Sequence, residues 1–404
     1  MQAERAKTSP ATSQPLSFDN TVTAFSHKSD KELRFSHFIF KMMGRPTLVK
    51  ILSNFTLFAL KLYLPIKGLI KATVFKQFFG GENIENCTKV ITQLANEGIA
   101  TVLNYSVEGN QREKDFENAT VEMLRIIDFA KTHSHIPNTC IKLTGIGRFE
   151  LLKKAAANEK LSDEEKTEYD NFSHRFETIC KASAESHLPL LVDAEESWIQ
   201  DTLDRITEEM MSKYNHERAI VYNTLQMYRH DRLDYFKALI EKAKNQGFRL
   251  GVKLVRGAYL EKENERAEKM GRPSPINPTK EATDALYNRA LELAIDNIDI
   301  VEICAGTHNE KSNRLLAELM HQRSIPNNHP GIIFAQLYGM SDHISFTLAK
   351  AGYMVCKYLP YGPVKDTIPY LIRRAEENTS IAGQMGKELR LIREEMKRRK
   401  DDRN

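Results

Sequence analysis

From residue 97 onward, short apolar runs alternate with longer stretches of helical period. The runs are IATVLNYSV (99–107), CIKLTGI (140–146), PLLVDAE (189–195), AIVYNTLQ (219–226), RLGVKLVRGAY (249–259), DIVEICAGT (299–307), GIIFAQLYG (331–339) and YMVCKYLPYG (353–362). Near-continuous apolarity is what strands covered on both faces require. Each run is followed by a polar break and then a segment such as DRLDYFKALIEKAKNQG or EATDALYNRALELAI, whose apolar positions recur at helical spacing. Eight such units over about 280 residues predict an α/β fold, a (β/α)8 TIM barrel. A doubly wound open sheet is the alternative. It is weakened because no GxGxxG follows any of the runs.

The chain before and after the barrel has a different rhythm. Residues 1–30 are rich in Ser, Thr, Gln and Lys and read as a flexible arm. Residues 31–96 read as a helical N-terminal region. Within it TLVKILSNFTLFALKLYLPIKGLIKATVFKQFF mixes Leu, Phe and Ile with Lys at helical spacing, and Pro65 interrupts it. Such a helix packs on the main domain or lies on a membrane surface, and the pattern leaves both open. The barrel domain is assigned to 97–380. Residues 381–404 read as a basic C-terminal helix, solvated in the plainer reading and facing lipid headgroups or a partner in the other.

Composition narrows the class. The chain has 404 residues, 41% hydrophobic and 28% charged, and its net charge of +4 is too small for a dedicated nucleic-acid binder. No apolar run reaches the length of a membrane span. The N-terminal residues lack the apolar core of a secretory signal. Five cysteines at wide spacing, without a CxxC pair, argue against a disulfide framework and against a zinc site. His133 and His135 lie in a polar loop, and no metal site is expected. These features point to a reducing, cytoplasmic setting.

Barrel enzymes carry their reactive groups at the C-terminal strand ends. Polar groups stand there in nearly every run: Lys142, Asp193 and Glu195 on either side of Ala194, Asn223 and Gln226, Lys253, Arg256 and Tyr259, Thr307 and His308, Gln336, and Tyr358. Cations outnumber acids, so the ligand is expected to be anionic. Arg373 and Arg374 follow Tyr370 at three and four residues and share its helix face. Such a pair suits a carboxylate or phosphate, although spacing alone slightly favours an ordinary exposed basic pair. Lys142 or Lys253 is either a Schiff-base lysine, as in a lyase, or the partner of Asp193 or Glu195. Gly257, just past a strand, would let a cofactor approach the backbone. Thr307 and His308 hold a ligand or are simply satisfied strand-end groups.

The runs LLVDAEES, KLVRGAYL, GTHN, QLYGM, KYLPYGPV and PYLIRRAEEN, in this order, resemble the proline dehydrogenase family in its monofunctional, eukaryote-like branch. The resemblance covers about 97–380. It implies a distorted barrel with FAD at its mouth, and oxidation of L-proline to Δ1-pyrroline-5-carboxylate by hydride transfer to flavin N5. This is the first step of proline catabolism, with electrons passing to a membrane quinone. It implies that Arg373, Arg374 and Lys142 grip the proline carboxylate, and that Asp193 orients Lys142 and Arg373. Tyr259 and Tyr358 wall the ring, Tyr370 closes over it, and Glu108 pairs with Arg373 as a gate. For FAD it implies Ala194, Asn223, Gln226, Lys253, Val255, Arg256, Gly257, Thr307, His308, Gln336 and Glu377. Lys253 stands where bifunctional bacterial members carry arginine, and Asn223 where many carry glutamine. Tyr358 favours proline over hydroxyproline, leaving a hydroxyproline dehydrogenase as the alternative beside the lyase. With quinone as acceptor, the 47–80 region and the basic tail become candidates for peripheral membrane contact, on the inner face of a bacterial membrane, with a mitochondrial setting also open. The product's further oxidation would fall to a separate pyrroline-5-carboxylate dehydrogenase.

Overall fold

The computed structural model describes residues 16–61, 66–107, 111–368, 370–372 and 382–403. Eight parallel strands form a closed ring in chain order: β1 (Ala100–Tyr105), β2 (Asn138–Ile141), β3 (Leu190–Val192), β4 (Val221–Gln226), β5 (Leu250–Val255), β6 (Val301–Gly306), β7 (Ile332–Leu337) and β8 (Val355–Tyr361). β8 closes on β1 over six residues, from Ala100 against Cys356 to Tyr105 against Tyr361. Each of the eight apolar runs contributes one strand. The run at 140–146 is cut short, because the chain turns after Ile141 into a 3-10 turn, Leu143–Gly145. There Thr144 gives its backbone N–H to the Glu195 carboxylate at 3.0 Å.

Alternation along each strand divides its side chains between two cores. Inside the ring lie Val102, Cys140, Leu191, Tyr222, Cys304, Ile333, Ala335, Cys356 and Tyr358. Outside, Leu103, Leu225, Leu254, Phe334 and Leu359 pack under the helices. Several inner positions are small, which leaves room for the Tyr222 and Tyr358 rings. All five cysteines are buried and free.

The terminal regions share a further apolar core. It joins Phe25, Phe40, Phe75 and Phe79 of the N-terminal region to Met340, Ile368 and Tyr370 near the strand ends, and to Leu391 and Ile392 of the C-terminal helix Ala382–Asp401. Two expectations are corrected here. The stretch 16–30 is docked rather than free: Phe18 and Phe25 are fully buried, and Lys28 pairs with Asp342 at 2.9 Å. The C-terminal helix is packed rather than solvated. Its Glu395 is fully buried and accepts from Arg399 at 2.8 Å and from the Thr21 hydroxyl at 2.8 Å. Burial of one apolar stripe, with the basic residues turned to acids of the N-terminal helices, accounts for both.

A buried ionic cluster pins these segments to the barrel. Lys357 projects outward from β8 and is fully buried. Its Nζ lies 3.0 Å from Asp342 and donates to the Met340 carbonyl at 2.5 Å. Burial acts to raise the Asp342 carboxyl, but Lys28 and Lys357 outweigh it and hold the group well below its ordinary value of 3.8. The wild type therefore keeps this contribution above pH 3.8 and loses it as the pH falls through the lower folded value. Asp342→Ala strands the Lys357 ammonium in the interior. We expect a loss of about 3–5 kcal/mol in the free energy of unfolding, read from urea denaturation at pH 7.

Candidate active site

The mouth is organised by an ion pair inside the ring. Lys253 on β5 is 6% exposed, and its ammonium rests on the carboxylate of Asp193, the residue after β3. Burial opposes the charge on Lys253, but Asp193 outweighs it and holds the pKa above the usual lysine value. The Tyr358 ring lies over this ammonium, with Nζ 4.8 Å from its centroid. Tyr358 is itself buried, and its phenol oxygen has no hydrogen-bond partner among the described residues. Lys142 follows β2 directly, and its charge acts on both Cys140 and Glu195.

The β3 to β5 side of the mouth is a bonded arc. Gln226, at the end of β4, donates to the Glu195 carbonyl at 2.8 Å and accepts the Ala258 N–H at 3.3 Å. Half-buried Ala194 sits between Asp193 and Glu195. Val255 is half-buried at the end of β5, and its carbonyl accepts the Met227 N–H at 2.8 Å. Gly257 has φ +140°, and a Cβ there would stand 2.5 Å from the Tyr228 ring. Only glycine leaves this exposed backbone open to a ligand. Tyr259 is buried at the start of the helix Leu260–Lys269, with Lys262 Nζ 5.6 Å from its ring centroid.

Across the mouth, Arg256 is fixed by three partners: Asp284 at 2.6 Å, the Thr307 hydroxyl at 2.6 Å and the Ser312 hydroxyl at 3.0 Å. It also stacks 4.5 Å from the Tyr287 ring centroid. Thr307 and His308 lead into the helix Glu310–Gln322, where the Asn309 side chain accepts the Ser312 N–H at 3.2 Å. His308 Nδ1 and Ser341 Oγ are 2.8 Å apart. The Ser341 N–H donates to Glu388 of the C-terminal helix at 3.0 Å.

Two expected residues do not reach the mouth. Asn223 and Gln336 have outward parity on β4 and β7. Asn223 donates to Asp204 at 2.8 Å and to the Tyr235 hydroxyl at 3.2 Å, both on helices behind the strand. Gln336 donates to the Thr307 carbonyl at 3.1 Å and accepts from Ser345 at 2.8 Å. A buried outward amide must bond to the helix layer, so these two act behind the sheet. Tyr370 is 2% exposed and meets Phe79 edge-on, with ring centroids 5.6 Å apart. Arg373, Arg374, Glu377 and Glu108 lie outside the described residues.

Glu195, read from the sequence only as a strand-end acid and a possible lysine partner, is built into the mouth. It is 3% exposed, and both carboxylate oxygens are bonded to Thr144, at 3.0 Å to the N–H and 2.5 Å to the hydroxyl. Burial pushes its carboxyl up to about 7, helped by Glu196 and opposed by Lys142 and the Thr144 bonds. The adjacent acids in VDAEES were the available signal.

The model of the family described as proline dehydrogenase matches residues 87–387. The carbapenem antibiotics biosynthesis protein CarD of Pectobacterium carotovorum is 33% identical over 89% of this chain and 94% of its own length. Proline dehydrogenase 1, mitochondrial, of Drosophila melanogaster is 40% identical over 59% of this chain, a match that spans 37% of the fly protein. Hydroxyproline dehydrogenase of Xenopus laevis is 31% identical over 93% of this chain and 88% of its own length. Proline utilization A from Bdellovibrio bacteriovorus superposes with a TM-score of 0.70 at 21% identity, covering 89% of this chain and 38% of that one. At that identity the likeness speaks for the fold alone.

The parity argument predicts that Asn223→Ala lowers the unfolding free energy by about 1–3 kcal/mol, because buried Asp204 loses a donor. The loss is read from urea denaturation at pH 7.

Proposed function

Because this chain belongs to the proline dehydrogenase family, we propose that it oxidises L-proline to Δ1-pyrroline-5-carboxylate with FAD held at the barrel mouth. The observation that carries this reading is the Lys253–Asp193 pair buried beneath Tyr358, beside Lys142, at the strand ends. A buried lysine held against a carboxylate beneath an aromatic ring, with Lys142 beside it, suits a small cyclic carboxylate.

The residues present also fit FAD. Gly257 exposes backbone that a Cβ would close, and Gln226 holds two strand-end loops in place around it. Thr307 and His308 precede the N-terminus of a 13-residue helix, where a phosphate is favoured. FAD when bound supplies the hydride acceptor. The chain's own task is to bind, orient and exclude water. Lys142, with Arg373 and Arg374, grips the substrate carboxylate. Tyr358 and Tyr259 confine the ring, and Tyr370, braced by Phe79, covers it. Asp193 keeps Lys253 charged, so Lys253 is neither a base nor a Schiff-base amine. This weighs against the lyase alternative at Lys253. The Tyr358 ring is buried over Lys253, where it crowds the position of a ring hydroxyl, which supports proline over hydroxyproline.

The exposed apolar residues Ile51, Leu52 and Phe55 of the helix Pro46–Lys61 support a peripheral membrane contact, with quinone as the electron acceptor. Leu69 and the lysines Lys50 and Lys67 are exposed as well. No described helix is long and apolar enough to cross a membrane. The product would pass to a pyrroline-5-carboxylate dehydrogenase. Relatives named mitochondrial and a bacterial relative leave both membrane settings in view.

The reading is tested by the visible spectrum of the purified protein before and after anaerobic L-proline. We expect a flavin spectrum that bleaches. Proline's nitrogen must be neutral before hydride leaves C5, so the bleaching rate should rise with pH through the amine's effective pKa. A protein that takes up no FAD, or a rate flat from acid to alkaline pH, counts against it. For the membrane contact, Ile51→Glu with Phe55→Glu should weaken sedimentation with anionic liposomes severalfold while activity with a soluble dye is unchanged. Undiminished liposome binding would remove that part of the proposal.

A further inference from the structure

Four consecutive residues after β7 are each held by a segment from elsewhere in the chain. Gln77 donates to the Gly339 carbonyl at 2.9 Å, and Lys357 donates to the Met340 carbonyl. Glu388 accepts the Ser341 N–H at 3.0 Å, and Lys28 pairs with Asp342 at 2.9 Å. Within this stretch, Ser341 meets a residue of the mouth: its Oγ is 2.8 Å from His308 Nδ1.

The placing of that hydroxyl overrides two local preferences. Ser341 is the N-cap of the helix Asp342–Lys350, where a serine hydroxyl ordinarily accepts an N–H of the first turn. Here the side chain makes no capping bond. Its backbone has φ +52° and ψ +40°, a left-handed conformation that residues other than glycine seldom take. The cap is given up, the strain is held, and the hydroxyl stands beside His308 instead. Across the ring the Leu337 N–H lies 3.5 Å from Nε2, so both imidazole nitrogens face fixed groups.

The C-terminal helix grips this arrangement with two adjacent residues. Glu388 is buried and takes the Ser341 N–H. Lys387 pairs at 2.7 Å with Glu310, the first residue of the helix that follows His308. The segments after β6 and β7 are thus held to the same helix on either side of the imidazole.

We propose that Ser341, held in its left-handed conformation by Glu388, is a positioning residue that fixes the His308 imidazole for FAD. The inference rests on the reading of His308 as a cofactor residue. Ser341 acts through the histidine. Without its hydroxyl the ring loses one of its fixed partners, and ordering it opposes FAD binding.

The test is the dissociation constant of FAD from the full-length protein at pH 7, read from the flavin fluorescence recovered on release. Ser341→Ala and Glu388→Ala should each weaken FAD binding about tenfold, the scale of one well-made hydrogen bond. Glu388→Gln, whose carboxamide oxygen can accept the same N–H, should stay within about twofold of the wild type. His308→Ala should weaken FAD at least as much as Ser341→Ala does. Adding Ser341→Ala to it should then change the constant by less than about twofold. A merely structural serine would give the opposite, since lost stability acts on FAD binding with or without the imidazole.

Should Glu388→Ala fail to fold, Ser341→Ala, which removes a single oxygen, and the double variant decide the matter. Ser341→Ala that holds FAD as tightly as the wild type overturns the proposal. So does an effect of Ser341→Ala that persists undiminished without His308, or a His308→Ala variant that binds FAD as the wild type does. Glu388→Gln as weak as Glu388→Ala overturns the part given to Glu388. A wild type that takes up no FAD overturns the cofactor reading, and this inference with it.

Discussion

Closing eight parallel strands into a ring forces every strand to send alternate side chains to an interior without solvent and to a helix layer. A charged group assigned inward must find its partner among the other strands, because no water reaches it. Lys253 meets this demand with Asp193 and the face of Tyr358. The pairing joins β5, the end of β3 and β8, and so places the three groups that shape the cup. The same alternation sends Lys357 the other way. There it needs Asp342 and two backbone carbonyls.

That outward pairing has consequences for the termini. Asp342 is shared with Lys28, so the N-terminal segment is tied to the same acid that satisfies a barrel strand. The C-terminal helix reaches the neighbouring Ser341 through Glu388, and Ser341 meets His308 at the edge of the mouth. Phe79 of the N-terminal region braces Tyr370. Segments outside the (β/α)8 repeat therefore hold residues at the functional end. Gly339 shows how tightly this is built: at φ +78° its Cα faces the Gln77 carbonyl, and a Cβ would come within 2.1 Å of that oxygen.

Much of the mouth is fixed in place. Arg256 has each guanidinium nitrogen committed, and Gln226 bridges two loops, so both serve as fixed walls. Glu195 is held equally firmly through Thr144, and burial outweighs the pull of Lys142 and raises its carboxyl to about 7.

The chain by itself determined the barrel: eight apolar runs with helical intervals are enough, since burial on both faces leaves a repeat that no local contact has to explain. It also carried Lys142, Asp193, Lys253 and Tyr358 to the right end, because strand ends can be read from where the runs stop. It could not say which way a strand-end residue faces. Asn223 and Gln336 sit in the right runs and point into the helix layer, a difference of one residue in parity. Nor could it show that residues 16–30 and the basic helix are docked, because Phe18, Phe25 and Glu395 find their partners hundreds of positions away. Glu195 was visible as one acid among three in VDAEES, but its chemistry comes from burial and from Thr144 on another strand end. Periodicity is local and survives in a linear string. Facing, burial and charge balance arise only when distant segments close on one another, and the tertiary structure alone decided them.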